Sequence, residues 1–376
     1  MEFDFNEDQK MLRDTARKFL EAECAPDKVR AILDDDSKTY DEGLYTKLVE
    51  MGFTGAAIPE EFGGLGLGYL ELCVIAEELG RALAPVPFAS SIFLAAEALL
   101  IAGSDAQKAA WLPKLVSGEA IGTLAMSEGN GVPSARNTDT RLEGGKVNGV
   151  KAVVPDGASA NLIVALVRTS SGDSAKSLSL ALVDASSGVT ATPQHTVDPS
   201  RKMADLSFDG ASAELLGSEG EGLSLLEQIL DRAAVLTAFE QLGGATRALE
   251  MGVDYAKERF AFGRQIGSYQ AIKHMLADMY VSQELARSNA YYGAWALSTD
   301  AAELPLAAAT ARVSGTQAFQ HCSKNNIQTH GGMGFTWEVD AHLYYRRSNH
   351  LALTLGSLRQ WKDKLATQLE KQNQAA

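Results

Sequence analysis

Two acidic side chains lie in an apolar, helix-forming stretch of this sequence and could serve as proton acceptors. Glu240 stands in the segment Thr237-Ala-Phe239-Glu240-Gln-Leu-Gly-Gly, where loss of water around its carboxylate would make it a stronger base. Asp231 is the second candidate, and Arg232 follows it directly. Because nine residues of helix amount to about two and a half turns, the two carboxylates point to nearly opposite faces. At most one of them is therefore expected to act.

The elements that must position these groups fall into three parts. Residues 1–120 show apolar residues at helical spacing, residues 121–218 show short apolar runs between turn residues, and residues 219–376 are helical again. We therefore predict a mainly α protein with a central β domain. It would comprise an N-terminal helical bundle, a middle β-barrel or sandwich, and a C-terminal four-helix bundle.

The same patterns predict individual elements. Helices are predicted in the two outer parts over 8–22, 45–51, 69–82, 90–102, 106–116, 223–259, 268–297, 304–327 and 339–369. Strands are predicted in the middle part over 122–126, 147–154, 161–167, 178–183, 189–192 and 204–208.

Composition and charge restrict the function classes. Asp and Glu number 48 against 34 Lys and Arg, which gives a net charge of −14 and argues against a general nucleic-acid binder. Three scattered cysteines predict neither a disulfide framework nor a metal site and fit a cytoplasmic protein. No apolar run approaches the roughly 20 residues of a membrane span. The acidic N-terminus lacks the basic start of a signal peptide, so none is expected.

Two segments near the C-terminus carry a more specific pattern. They are Tyr255-Ala-Lys-Glu-Arg259-Phe-Ala-Phe262-Gly263, continuing through Gln270 to Asp278, and Gln328-Thr-His-Gly331-Gly332-Met-Gly334-Phe335. Both resemble signatures of the acyl-CoA dehydrogenase family. Ile58-Pro-Glu-Glu-Phe-Gly-Gly-Leu-Gly and Glu77-Glu-Leu-Gly resemble that family as well, so the resemblance covers nearly the whole chain in order.

The resemblance implies a flavoenzyme that binds FAD and an acyl-CoA thioester. In the family's reaction a carboxylate removes the α-proton while the β-hydrogen leaves as hydride, and the product is a 2,3-enoyl-CoA. Because the α-proton is weakly acidic, the site must stabilise enolate charge and hold a base against that carbon. The resemblance further implies that electrons pass to an electron-transfer flavoprotein. It also implies FAD sites shared between subunits of a dimer, a tetramer or a hetero-oligomer with a second homologous chain.

Six residues of the two signatures receive cofactor roles from the resemblance. Arg259 matches an Arg that contacts the FAD diphosphate, which suits a guanidinium fork. Phe262 would pack near the cofactor, and Gln270 would help bind the FAD of a neighbouring subunit. Gln328, Gly331 and Gly332 match the stretch that approaches the adenosine part of FAD, where glycine permits close backbone approach.

The sequence departs from the family pattern around the flavin ring. Ser127 can replace a Thr hydroxyl that binds the ring, but Val153-Val154-Pro155 stands where the family has Trp-Ile-Thr. Leu355 occupies the position of a catalytic Glu, whereas Gly356-Ser357 still matches the family's Gly-Thr beside the flavin. The base must therefore come from elsewhere, and Asp231 and Glu240 are the alternatives.

These departures resemble the branch of the family that acts on bulky acyl groups, such as sterol side chains, often as paired unlike subunits. The main hypothesis is an FAD-dependent acyl-CoA dehydrogenase. The alternative is a non-catalytic partner that completes the FAD site of a neighbouring subunit. His274, His330 and His342 are expected to be structural, and Arg346-Arg347 is expected to be a surface pair.

Overall fold

The computed structural model describes residues 5–375 and confirms the mainly helical fold with a central β region. Met1 to Asp4, which carry most of the N-terminus on which the signal-peptide prediction rests, lie outside the described residues. The helices before the strands are α1 Glu7–Glu23, α2 Pro26–Leu33, α3 Glu42–Glu50, α4 Tyr69–Ala82, α5 Glu97–Ala102 and α6 Asp105–Val116. Those after them are α7 Gly222–Glu258, α8 Gln270–Ser298, α9 Leu304–His330, α10 Ala341–Thr354 and α11 Leu358–Ala375.

Contacts divide the chain into two compact units. Unit 1 comprises Met1–Val29, Tyr69–Ala84 and Ala234–Ala376, and unit 2 comprises Arg30–Gly68 and Pro85–Ala233. The sequence-based domains 1–120, 121–218 and 219–376 stay a prediction.

Unit 2 contains the β region, whose strands form a closed ring. The strands are β1 Gly122–Ala125, β2 Arg141–Glu143, β3 Lys146–Pro155, β4 Leu162–Arg168, β5 Leu178–Asp184, β6 Val189–Gln194 and β7 Met203–Leu216. Pairing runs from β4 through β5, β7, β3 and β2 back to β4, while β1 and β6 add to β4 and β7. Small and β-branched side chains such as Val147, Ile163 and Val183 fill the core, so the ring is a packed barrel rather than an open channel.

Unit 1 is built on close helix contacts. A methyl group at Gly80 of α4 would lie 1.9 Å from the Glu240 carbonyl oxygen, and one at Gly243 of α7 would lie 1.8 Å from the Glu77 carbonyl oxygen. Only glycine permits this approach of α4 to α7. Ion pairs reinforce the helices, with Arg17 donating to Glu78 and Arg287 donating to Glu77 at 3.0 Å.

Several predicted boundaries were wrong. The last predicted helix, 339–369, breaks at Leu355 to Ser357, where Gly356 adopts a φ of 99° that other residues rarely adopt. The predicted helix 90–102 begins as a π-helix over Ala89–Ala96. Helix α2 and the three-residue strand β2 were not predicted, because eight and three residues carry too little periodicity.

Candidate functional site

The first candidate cofactor segment is a tight hairpin that follows α7. Arg259 comes directly after the last residue of α7, and its carbonyl accepts a 2.8 Å hydrogen bond from the backbone N–H of Ile266. Strands β8 Phe260–Ala261 and β9 Arg264–Gln265 pair between these two residues. The Arg259 side chain is exposed and makes no ion pair within residues 5–375. Its charge is therefore available to an anionic group.

The tip of this hairpin presents an aromatic side chain to solvent. Phe262 and Gly263 form the turn with φ values of 53° and 81°, the positive pair that a type I′ hairpin requires. Phe262 is 97% exposed. A bulky residue in the left-handed region is an outlier. The turn therefore has an unfavourable backbone conformation at the residue whose ring is exposed to solvent.

The start of α8 is tied to the same hairpin. The Tyr269 hydroxyl donates to the carbonyl of Ala261 at 2.9 Å, and the guanidinium of Arg264 lies 4.0 Å from the Tyr269 ring centre. Gln270, the first residue of α8, is exposed. Gln270 and Phe262 therefore belong to one locally braced segment.

The second candidate segment meets the first through an aromatic stack. The rings of Tyr255 on α7 and His330 at the end of α9 lie 4.2 Å apart and are nearly parallel. The Nδ1 of His330 is 2.8 Å from the Asn326 carbonyl, which fixes the ring. Tyr255 precedes Arg259 by one helical turn and His330 precedes Gly331 directly. The structure thus brings the two sequence signatures together, a contact that sequence reasoning missed.

The turn after His330 leaves its backbone open. Gly331 adopts φ 59° and ψ −134°, a region essentially restricted to glycine. A methyl group at Gly331 or Gly332 would meet nothing within 4 Å, and the Gln328 side chain is exposed. An exposed cation beside an open glycine backbone fits the diphosphate and adenosine parts of FAD.

Ser127 lies in unit 2, just after β1. Its carbonyl accepts a 2.8 Å hydrogen bond from the N–H of Ala152 on β3. The neighbouring Glu128 accepts from the Nζ of Lys151 at 2.7 Å and from the N–H groups of Asp139 and Thr140. Since Lys151 is fully buried, this ion pair anchors the Ser127 segment to β3.

The C-terminal candidate Ser357 already has a structural role. Its hydroxyl accepts from the N–H of Gln360 at 3.3 Å, and the Gln360 side chain accepts from the N–H of Ser357 at 2.6 Å. This reciprocal pair is a capping box at the start of α11. Leu355 is buried, and its carbonyl accepts from the Trp361 indole at 3.0 Å. The break between α10 and α11 is thus well fixed but supplies no carboxylate.

Glu240 is buried, as its apolar sequence setting predicts, but charged groups lie in its surroundings, which the sequence did not indicate. Glu240 is 3% exposed, and its Oε1 lies 3.7 Å from the Nη1 of Arg347. Burial lowers the pKa of Arg312 to about 10, while the charge of Glu240 acts in the opposite direction. The expected surface position of Arg347 is wrong, because this arginine is fully buried and donates to the Leu83 carbonyl. The predicted burial of Glu240 could have indicated a basic partner such as Arg347, because buried charges in proteins are usually paired.

Asp231 lies on α7 in unit 2 and is also 3% exposed. The next residue, Arg232, has its guanidinium 4.0 Å from a carboxylate oxygen of the buried Glu97. Both candidate bases are thus buried, and Glu240 lies near two buried guanidiniums, those of Arg347 and Arg312.

Among residues 5–375, no group of three or more His, Cys, Asp or Glu side chains could hold a metal ion. Within the same range, none of the helices combines the length and apolarity needed to cross a membrane.

Two protein-family models match the chain. The model for the acyl-CoA dehydrogenase N-terminal domain matches residues 6–119. The model for the acyl-CoA dehydrogenase C-terminal domain matches residues 220–362, which include both cofactor segments and both candidate bases.

Individual proteins match over nearly the whole chain. The acyl-CoA dehydrogenase IpdE2 of Mycobacterium tuberculosis is 34% identical over 357 residues, which cover 94% of this chain and 95% of the relative. The structure of the Tcur3481–Tcur3483 steroid ACAD has a TM-score of 0.88 at 29% identity and covers 98% of this chain and 99% of its own. The ChsE4–ChsE5 complex from Mycobacterium tuberculosis has a TM-score of 0.88 at 27% identity, with the same coverage of each chain.

Proposed function

The chain belongs to the acyl-CoA dehydrogenase family, and from that premise we propose that it is an FAD-dependent enzyme that converts a bulky acyl-CoA to its 2,3-enoyl-CoA. The observation that carries the proposal is the joining of the two cofactor segments. The Tyr255–His330 stack sets the exposed Arg259 segment beside the open Gly331–Gly332 backbone. A solvent-facing cation next to accessible backbone is suited to a dinucleotide.

In the proposed mechanism the chain's residues hold the reactants and move one proton. Arg259 would bind the FAD diphosphate, and Gln328 to Gly332 would contact the adenosine part, in the same site or in a neighbouring subunit's site. Ser127 would donate a hydrogen bond to the flavin ring. FAD, when bound, accepts the hydride that leaves the β-carbon. A carboxylate of this chain takes the α-proton, so both hydrogens leave the substrate and a carbon–carbon double bond forms.

We assign the proton-accepting role to Asp231 rather than to Glu240. The Glu240 carboxylate faces Arg347 at 3.7 Å and opposes the effect of burial on Arg312. This arrangement gives Glu240 a structural task as the counter-charge of buried guanidiniums. Asp231 is equally buried and is followed directly by Arg232, the acid–arginine order that the family resemblance associates with a base on this helix.

Two variants of α7 test this assignment. Asp231→Asn should keep bound flavin but lower turnover by at least about 100-fold, the usual contribution of a general base. Glu240→Gln should keep turnover per bound flavin and lower the melting temperature by several degrees, because buried guanidiniums lose the charge they face. The exposed Asp254 on the same helix supplies the control Asp254→Asn, which should change neither. A reversed pattern for the two acids would assign the base to Glu240.

We further propose that the acyl group is bulky and that electrons pass to an electron-transfer flavoprotein. The steroid ACAD structure, similar over 98% of this chain, supports the substrate class. A panel of acyl-CoAs from short linear chains to steroid side chains tests it. The bulky thioesters should give the highest kcat/KM with an electron-transfer flavoprotein as acceptor, and a clear preference for short linear chains would contradict the proposal.

A non-catalytic partner role is the second candidate function. Its supporting observation is Leu355, a buried leucine at the expected carboxylate position, and the similar ChsE4–ChsE5 structure is a complex of two chains. In this case the chain would co-purify with a second homologous chain, and the pair would hold fewer flavins than subunits. One flavin per chain in a single-chain oligomer would exclude it.

A further inference from the structure

The backbone of β3 contains one strongly disfavoured residue. Val153 has a φ of 53°, although a β-branched residue in the left-handed region is a genuine outlier. Among residues 5–375 it is the one β-branched side chain with positive φ; the others are two Asp residues, a Leu and a Phe. Its side chain is 51% exposed, so burial of the valine does not offset this conformation.

Hydrogen bonds from neighbouring segments hold the residue in place. The N–H of Val153 donates to Oδ1 of Asp205 on β7 at 2.8 Å, and the Gln194 side chain donates to Oδ2 of the same carboxylate at 2.8 Å. The pairing register of β3 and β7 shifts between Lys151 and Val154. The Asp205 carboxylate therefore bridges the irregular step of the ladder and fixes the strained residue from outside β3.

The strained residue lies next to the backbone contact that holds the Ser127 segment on β3. The preceding residue, Ala152, donates its N–H to the Ser127 carbonyl at 2.8 Å, and Lys151 pairs with Glu128. On the other side, Val154 is buried. Val153 thus projects an apolar group at the end of a rigidly bound stretch, one residue from the contact with Ser127.

We propose that Asp205 is a positioning residue that holds Val153 in this conformation so that the valine forms an apolar wall for the flavin ring. Local strain persists where surrounding structure enforces it, and such strain concentrates at ligand sites. The inference rests on the proposed FAD function. It gives a role to Asp205, which is neither part of the two sequence signatures nor a candidate base.

Thermal melting of the full chain with and without added FAD tests the strain and the ligand contact together. Without added FAD, Val153→Gly should raise the melting temperature by about 2–4 °C, because glycine adopts positive φ without strain. The matched control is Val150→Gly, an equally exposed valine on β3 that lacks a positive φ. That control should lower the melting temperature, since glycine weakens a regular strand.

Added FAD raises the melting temperature in proportion to its affinity, so the same melts report binding. Val153→Gly should bind FAD about 10-fold more weakly than the wild type, and Val150→Gly should bind it normally. Asp205→Ala should weaken FAD binding about 10-fold and alter the visible circular dichroism of the bound flavin. Asp205→Asn keeps an acceptor for the Val153 N–H and should restore both within about threefold.

The outcomes separate this inference from the proposed function. If the wild type binds FAD and Asp205→Ala binds it with equal affinity and an unchanged flavin spectrum, the positioning role is wrong while the proposed function stands. A lower melting temperature for Val153→Gly than for Val150→Gly would likewise overturn the claim that Val153 is strained. A wild type that binds no FAD would remove the proposed function and this inference together.

Discussion

At the scale of single residues, the most unusual side chain of the cofactor segments is Phe262. It occupies a left-handed turn position where Asn is preferred, and almost its whole ring faces solvent. A turn residue chosen only for the hairpin would be smaller and polar. We therefore propose that the ring makes a contact outside the chain's own core, either with the cofactor or with a second subunit.

Phe262→Asn separates the hairpin from that contact. The variant should fold with an unchanged or slightly higher melting temperature without FAD, because Asn-Gly is favourable in a type I′ turn. It should lose at least about 10-fold in FAD affinity or dissociate into smaller oligomers, as measured by flavin titration and light scattering. Phe262→Tyr keeps the aromatic ring and should behave as the wild type. Wild-type affinity and assembly in Phe262→Asn would show that the ring has no such contact.

At the scale of elements, the ends of α7 and α9 meet at an aromatic pair, Tyr255 and His330, beside the contact of Met251 with Asn326. The ring of Tyr255, one helical turn before Arg259, stacks on the ring of His330, the residue before the Gly331–Gly332 turn. Such pairs contribute about 0.5–1.5 kcal/mol beyond the area that they bury. The stack therefore adds a modest contribution to the packing that holds the two candidate cofactor segments together.

Removing the ring of Tyr255 should loosen this arrangement more than it destabilises the chain. Tyr255→Ala should lower FAD affinity several-fold, because Arg259 and Gly331 are no longer held in register, with a melting temperature reduced by only a few degrees. Tyr255→Phe keeps the stack and is expected to match the wild type in a flavin titration. Equal FAD affinity in Tyr255→Ala would mean that the stack does not position the site.

The attachment of the Ser127 segment to β3 should depend on pH. Burial disfavours the charged form of Glu128, but the Lys151 ammonium and the two backbone hydrogen bonds hold its pKa below the ordinary value of 4.5. The unfolded chain then binds more protons than the folded one. The stabilisation is therefore complete above about pH 4.5 and is lost as the pH falls through the lower folded-state pKa.

Glu128→Gln measures this contribution. Near neutral pH, urea unfolding should show a loss of about 2–4 kcal/mol, because the fully buried Lys151 loses the carboxylate that offsets the cost of its burial. The difference from the wild type should shrink as the pH falls below 4.5 and through the lowered folded-state pKa of Glu128. The control is Glu143→Gln on β2, whose exposed carboxylate lies 3.7 Å from Arg141; it should show little change at either pH. A constant difference for Glu128→Gln across pH would contradict the ion-pair account.

At the scale of the whole molecule, the periodicity of the sequence was enough to predict the order of helices and strands. The long helices α7, α8 and α9 and the buried strands β4 and β5 were predicted within a few residues, because their apolar patterns are long and regular. The short elements α2 and β2 were not, since they depend on neighbours distant in sequence. The break at Gly356 also escaped prediction, although a glycine between two helical patterns is its signal.

The site was less predictable than the fold. The two signatures could be found as sequence motifs, but their contact through Tyr255 and His330 is a tertiary fact without a local pattern. The burial of Arg347 reversed the expectation for a pair of adjacent arginines, which more often lie in solvent. The strain at Val153 is likewise not predictable from the sequence, since valine is a common strand residue. It is evident only from the positive φ of Val153 and the register shift between β3 and β7.

Whether this chain performs the chemistry alone is the central question for the whole molecule. The cofactor segments fit FAD, whereas the carboxylate expected at Leu355 is absent and Glu240 serves an ion pair. Under the assignment proposed above, a self-sufficient enzyme would use Asp231 as its base. A partner subunit would use only the outward-facing Arg259 and the Gly331–Gly332 turn.

The most direct test is the visible absorption spectrum of the chain purified alone, recorded without oxygen before and after addition of a bulky acyl-CoA. The account predicts about one bound flavin per chain, whose absorption bleaches with the thioester in the wild type and in Glu240→Gln but not in Asp231→Asn. A colourless protein, or a bound flavin that no thioester in the panel bleaches, would contradict the account and favour a subunit that completes the site of a second chain.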